Sequence, residues 1–299
     1  MPFDNILVAV HTNEAETTAL ERATKIAQHC DARLHLHMVV WKPNLARDLF
    51  HLGDQGKADQ EKLMSQGTER LDQLKETLDV PVAGAAVHWG HPFDEQLLQA
   101  IEAEKPDLVV MATTRDDRPS TSEWRLIRGC KTPLMLCHHH EWASPPRTLS
   151  CVDPGHAHDK SDEIDQAIIN LSERLEASLG QPYELLHAAG MTPVLDGDQP
   201  YTYQYRDKHD GENEAAIRKL LPADKAEQVP VHFSHSTPAE AITAFVETRQ
   251  FDICVLGLVN RSRWQELLIG STPRDLIPKM NCDLLLLPHP GASWVPASR

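Results

Sequence analysis

Gly257, Asn260, Gly270, Ser271 and Thr272 fall in the pattern G-x2-N-x9-G-S-T, and the chemistry that such a set does well is holding a phosphate. Glycines let backbone amides come close to a ligand, the two hydroxyls add donors, and a helix starting there presents unpaired N–H groups with partial positive charge. Asp153, at the exit of an earlier apolar run, can accept from ribose hydroxyls. Plainer uses exist for the same residues. Ser271 and Thr272 can cap a helix, and Asp153 ahead of Pro154 can start a turn. On sequence alone both uses stay open.

Histidines form the second group, 17 in all. His88-x2-His91 and His232-x2-His235 recur at matching strand ends, which makes them weak metal candidates. Residues three apart on a strand point to opposite faces, and no Cys-x2-Cys or His-Glu-x2-His pattern joins them, so the expectation is that no metal is bound. The run His138-His139-His140 reads as a solvated strand end. No serine sits in G-x-S-x-G and no carboxylate is placed as a general base, so no catalytic residue is assigned.

The elements that must position these residues are written twice. Phe3 to His11 has its counterpart in Arg147 to Asp153, and Val87-His88-Trp89 ahead of Pro92-Phe93 matches Val231-His232-Phe233 ahead of Pro238. Asp107-Leu108-Val109-Val110 matches Asp252-Ile253-Cys254-Val255, and each copy closes on an apolar run, Leu134 to Cys137 and Leu284 to Leu287. The apolar runs are continuous and not alternating, which suits strands buried on both faces of a parallel sheet. Between them lie helical patterns over 15–30, 57–78, 93–103, 122–129, 161–179, 212–221, 239–247 and 273–280. Ser161 is placed as an N-cap, with Asp162 and Glu163 in the first turn. Glu141 to Pro146 reads as an extended link, and 192–210 as an irregular stretch in which Tyr201, Tyr203 and Tyr205 alternate as in a strand, a flap or a packed surface segment. Strand–helix alternation of this kind specifies an α/β fold with parallel sheets covered on both sides.

A chain of 299 residues is long enough for two such domains. With 44 acidic against 29 basic residues the net charge is −15, which opposes nucleic acid and anionic membranes as direct partners. No apolar stretch reaches the length of a membrane span and no basic leader opens the chain, so a cytoplasmic location is expected. The six cysteines are scattered, and free thiols are expected.

With these residues in place, the chain resembles the universal stress protein family in its tandem, two-domain form. The family's nucleotide-binding members carry G-x2-G-x9-G-[S/T], and the resemblance runs over nearly the whole chain, including Thr121 to Arg128 in the first half. It implies two five-stranded, adenine-nucleotide alpha hydrolase-like (Rossmann-like) domains over 1–141 and 146–290, paired as an internal pseudo-dimer through their last strands. It also implies ATP as the ligand, held by Val152, Asp153, Ala188, Gly257, Val259, Asn260, Gly270, Ser271 and Thr272.

The chain departs from the family pattern at several places. Asn260 replaces the middle glycine, which alters or weakens binding. In the first half His11, Ala112, Arg115 and Ser120-Thr121 stand where the aspartate and glycines belong, so that half reads as having lost the phosphate loop. The resulting expectation is a stress-response regulator binding ATP or a related nucleotide in its second domain, at most a slow ATPase. The alternatives are an interaction or scaffold protein with protein partners or a homodimer, and a pocket re-purposed for a larger metabolite, which Trp264, Leu267 and Leu268 motivate.

Overall fold

A computed structural model describes residues 2–10, 15–41, 54–113, 119–154, 161–188, 203–258 and 275–288. They form two compact units that divide between His139 and His140.

The first unit runs β1 (Asn5–Val10), α1 (Ala15–Cys30), β2 (Arg33–Val40), α2 (Asp54–Thr77), β3 (Val82–Trp89), α3 (Phe93–Glu104), β4 (Leu108–Ala112), α4 (Thr121–Gly129) and β5 (Leu134–Cys137). Its strands are ordered β3-β2-β1-β4-β5 and the pairings are parallel. The second unit repeats this as β6 (Thr148–Cys151), α5 (Ser161–Leu179), β7 (Tyr183–Ala188), α6 (Tyr203–Leu220), β8 (Val231–Ser234), α7 (Pro238–Arg249), β9 (Ile253–Leu258), a 3-10 turn (Ile277–Lys279) and β10 (Asp283–Pro288). Its order is β10-β9-β6-β7-β8, again parallel.

The continuous apolar runs are the strands buried on both faces. Ile6 to Val10, Leu108 to Ala112 and Ile253 to Leu256 are all buried, whereas β3 and β8 hold half-exposed positions. Helix α1 packs Ala19, Leu20, Ala23, Ile26 and Ala27 inward, the spacing of one helical face.

The duplication extends to polar detail. Asp107 accepts the backbone N–H of Asp4 and of Asn5, each at 3.0 Å, and fixes the start of β1. Asp252 does the same ahead of β6, accepting from Ala143 at 2.9 Å and Arg147 at 2.8 Å. Helices α3 and α7 both end on a non-glycine residue in the left-handed region, Lys105 at φ 48° and Gln250 at φ 54°.

Two expectations are corrected. Helix α6 starts at Tyr203, not at 212, so Tyr203 and Tyr205 lie in its opening turns and not in an alternating strand, while Tyr201 falls outside the described residues. Gly211 and the charged run before it look like a break, but a charged, weakly amphipathic helix tolerates a glycine at about 1 kcal/mol. Ser161 is the first helical residue and not the cap before it. The described part of 273–280 is helical, with Asp275 and Leu276 in α form and a 3-10 turn over Ile277–Lys279, where Pro278 removes a donor.

The six cysteines are free thiols, and Cys151 Sγ lies 3.8 Å from Cys254 Sγ across adjacent strands. Among the described residues no helix is long and apolar enough to cross a membrane.

Candidate functional site

In the second unit the chain passes from β6 through β7 to β8 on one side, then crosses to β9 and β10 on the other. The strand order therefore reverses between β6 and β9, and the crevice beyond their carboxyl ends is where an open parallel sheet binds ligands. Val152 and Asp153 leave β6 there, Gly257 and Leu258 end β9, and Ala188 ends β7.

Of these, Asp153 is the one that presents chemistry. Its N–H donates to Asp165 Oδ1 at 3.0 Å, while its own side chain is 45% exposed at the crevice. Behind it lies buried His187, with Nδ1 3.7 Å from Asp153 Oδ1 and 3.1 Å from Val152 O. Asn213 Nδ2 donates to His187 Nε2 at 3.1 Å, which leaves Nδ1–H to donate to Val152 O. The carboxylate thus stands half-exposed at the crevice on a buried polar support. Val152 is buried, with its N–H donated to Leu186 O at 3.0 Å, so it shapes the floor.

Gly257 has a packing reason of its own. A Cβ there would lie 2.8 Å from Ile164 Cγ1 and 3.2 Å from Ile168 Cδ1, because α5 lies directly over β9 at this point. Gly257→Ala is accordingly expected to lower the unfolding free energy by about 1–3 kcal/mol, read from urea midpoints in the absence of ligand. A midpoint equal to the wild type's would show that α5 yields freely. Val259, Asn260, Gly270, Ser271 and Thr272 lie outside the described residues, as do Trp264, Leu267 and Leu268.

The matching place in the first unit is built differently. The start of α4 is closed by a capping box in which Ser120 Oγ accepts Glu123 N–H at 3.2 Å and Glu123 Oε2 accepts Ser120 N–H at 2.6 Å. The Ser120 hydroxyl and the Glu123 carboxylate thereby each take a donor that an anion would use, and the carboxylate's charge disfavours phosphate. Thr113 turns its N–H and hydroxyl to Cys137 O, at 2.9 and 3.3 Å. His11 and Arg115 fall outside the described residues.

The histidine pairs are dispersed. His88 Nε2 meets His37 Nδ1 at 2.8 Å, whereas the His91 ring lies 5.3 Å from that of Trp41. His232 Nε2 reaches Glu184 Oε2 at 2.6 Å, and His235 Nε2 reaches Asp210 Oδ2 at 3.2 Å. Arg147 Nη2 joins Glu184 at 2.7 Å; burial alone would raise that carboxyl, but the His232 and Arg147 hydrogen bonds outweigh it and hold the group below its usual range. The grouping of candidate metal ligands among the described residues is a different one: His35, His37 and Glu104, with one donor atom of each within 4.8 Å of the others. Burial first, then the nearby His88 and His35, pulls His37 down to about 4, and burial also lowers His88. The His-x2-His spacing points away from these residues; their signal in the sequence is His35-x-His37 within a strand, a spacing that puts both rings on one face.

The universal stress protein family matches residues 2–138 and 156–288. The chain is similar to universal stress protein E of Salmonella typhi, with 23% identity over 95% of this chain and 94% of that one. It is similar to universal stress protein E of Escherichia coli K12, with 22% identity over the same shares. In fold it resembles a functionally unknown protein from Pseudomonas aeruginosa PAO1, with a TM-score of 0.67 at 18% identity, covering 96% of this chain and 92% of that one. Two matched segments, each coinciding with one of the repeated parallel-sheet units, lead to one conclusion: the chain belongs to the universal stress protein family, as a tandem protein of the E type.

Proposed function

We propose that this protein is a nucleotide-responsive stress regulator whose second unit binds ATP at the β6–β9 switch point and whose first unit does not. The observation that supports it is Asp153: a half-exposed carboxylate at the switch point, fixed through its backbone by Asp165 and backed by buried His187. In this reading Asp153 accepts from the ribose hydroxyls, Ala188 and Gly257 line the crevice, and the loop carrying Val259, Asn260, Gly270, Ser271 and Thr272 receives the phosphates. The capping box at Ser120 and Glu123 supports the asymmetry between the units. In this reading ATP is held as a regulatory ligand, at most slowly hydrolysed, and a regulator in the cytoplasm is the role that fits such a ligand.

The test is an equilibrium ATP titration of the wild type and Asp153→Ala. Loss of charge-assisted ribose hydrogen bonds is expected to weaken binding about tenfold or more. Equal affinity of the two proteins would remove Asp153 from the site, and the lack of any binding would favour a protein that acts through partner contact.

A further inference from the structure

We propose that the first unit binds one divalent transition-metal ion of the zinc type on His35, His37 and Glu104, with His88 as the outer partner that orients His37. This site is separate from the nucleotide crevice and goes beyond the proposed function.

Its geometry comes from two periodicities. His35 and His37, two apart on β2, share a face of the sheet, and the last residue of α3, Glu104, brings a carboxylate to that face. One donor atom from each of the three lies within 4.8 Å of the others. Ligand atoms around a tetrahedral zinc, at bonds of roughly 2.0–2.1 Å, stand about 3.3 Å apart; the His35–Glu104 pair is already that close, at 3.1 Å, and the widest pair needs to close by at most about 1.5 Å. Three protein ligands would leave a fourth position for water or another donor.

The polar bookkeeping points the same way. His35 Nδ1 is buried and lies 3.1 Å from Glu104 Oε2, yet outside hydrogen-bond geometry, so it keeps no hydrogen bond. A buried ring nitrogen in that condition is uncommon. Gly84, opposite His35 on β3, carries no side chain, and a Cβ there would approach His35 Nδ1 to 3.4 Å. His37 is 4% exposed and uses Nδ1 toward His88 Nε2. When Nδ1–H donates to His88, the other nitrogen of His37 carries the lone pair a metal takes, which is how outer partners orient ligating imidazoles.

The second unit is an internal control, because its equivalent positions are filled for another purpose. By strand register Leu7 pairs with His35 and Leu149 with Glu184, so Glu184 stands in the place of His35 and Leu186 in that of His37. Arg249, ending α7, stands in the place of Glu104, which ends α3. There the face is closed by charge pairing of Glu184 with Arg147 and His232. A purely structural face therefore does not require imidazoles, and metal binding is assigned to the first unit alone.

The test is a Zn2+ titration of the full chain, stripped with chelator and desalted, against a competing chromophoric chelator. The wild type is expected to take up one ion that His35→Gln weakens by at least about a hundredfold and Glu104→Gln by at least about tenfold. Glu104 is a partly exposed helix-end residue, so Glu104→Gln keeps its fold and the comparison stays decisive even where a histidine variant unfolds. Zn2+ should also raise the melting temperature of the wild type and not that of the variants. Uptake that the variants share with the wild type would place the ion elsewhere, for example on His138-His139-His140, and would overturn the proposal, as would no uptake at all.

Discussion

Asp252→Ala is expected to destabilise the second unit by about 2–4 kcal/mol, seen as a lower urea midpoint without a change of fold. Asp252 is 6% exposed and each carboxylate oxygen accepts from a different backbone donor, Ala143 N–H at 2.9 Å and Arg147 N–H at 2.8 Å. Its own N–H returns to Arg147 O at 2.9 Å, so one residue ties the start of β6 to the start of β9. Alanine would leave two part-buried N–H groups without an acceptor, and hydrogen bonds to a charged partner are worth roughly 1.5–3 kcal/mol each, less what solvent returns. The repeat supplies the comparison. Asp107→Ala removes the equivalent pair in the first unit, but there the contact with Asp4 is exposed, so the loss should be smaller, about 1–2 kcal/mol. Equal and negligible effects at both positions would mean that the shared aspartate is a by-product of duplication and not a support of the fold.

Gly270→Asp is expected to abolish ATP binding, with an affinity loss of at least about a hundredfold, while leaving the unfolding midpoint close to that of the wild type. In the proposed function Gly270 precedes the Ser271-Thr272 hydroxyls that receive the phosphates. A carboxylate there adds a negative charge next to a polyanion and fills the space a glycine leaves for close approach. Asn260 already differs from the family's middle glycine, so the site depends the more on Gly270. Unchanged ATP affinity in Gly270→Asp would show that the phosphates lie elsewhere or that the crevice takes an uncharged ligand.

Much of the fold was legible because buried parallel strands announce themselves as unbroken apolar runs. The matched runs at Leu108–Val110 and Ile253–Val255 fall inside β4 and β9, and Ala15–Cys30 reads true to the residue from its apolar spacing. The aspartates at 107 and 252 could be paired from sequence, but their task could not, since a side chain that binds backbone far away in the chain leaves no periodicity. Helix α6 was read short because its opening, Tyr203 to Gly211, is charged and ends on a glycine. At the switch point Asp153 was legible from its place after a strand, while the His187–Asn213 support behind it was not, because Asn213 comes from α6, a distant helix. His88 was noticed for the wrong partner: spacing suggested His91, whereas the neighbouring strand supplies His37.

The central claim is that one of the two units, and only one, holds ATP. It is tested most directly by calorimetric titration of the purified full chain with ATP, which reports affinity and stoichiometry together. One ATP per chain, with its heat removed by Gly270→Asp and retained in Asp107→Ala, is the predicted result. Two ATP per chain, or no heat up to millimolar ATP, would contradict it.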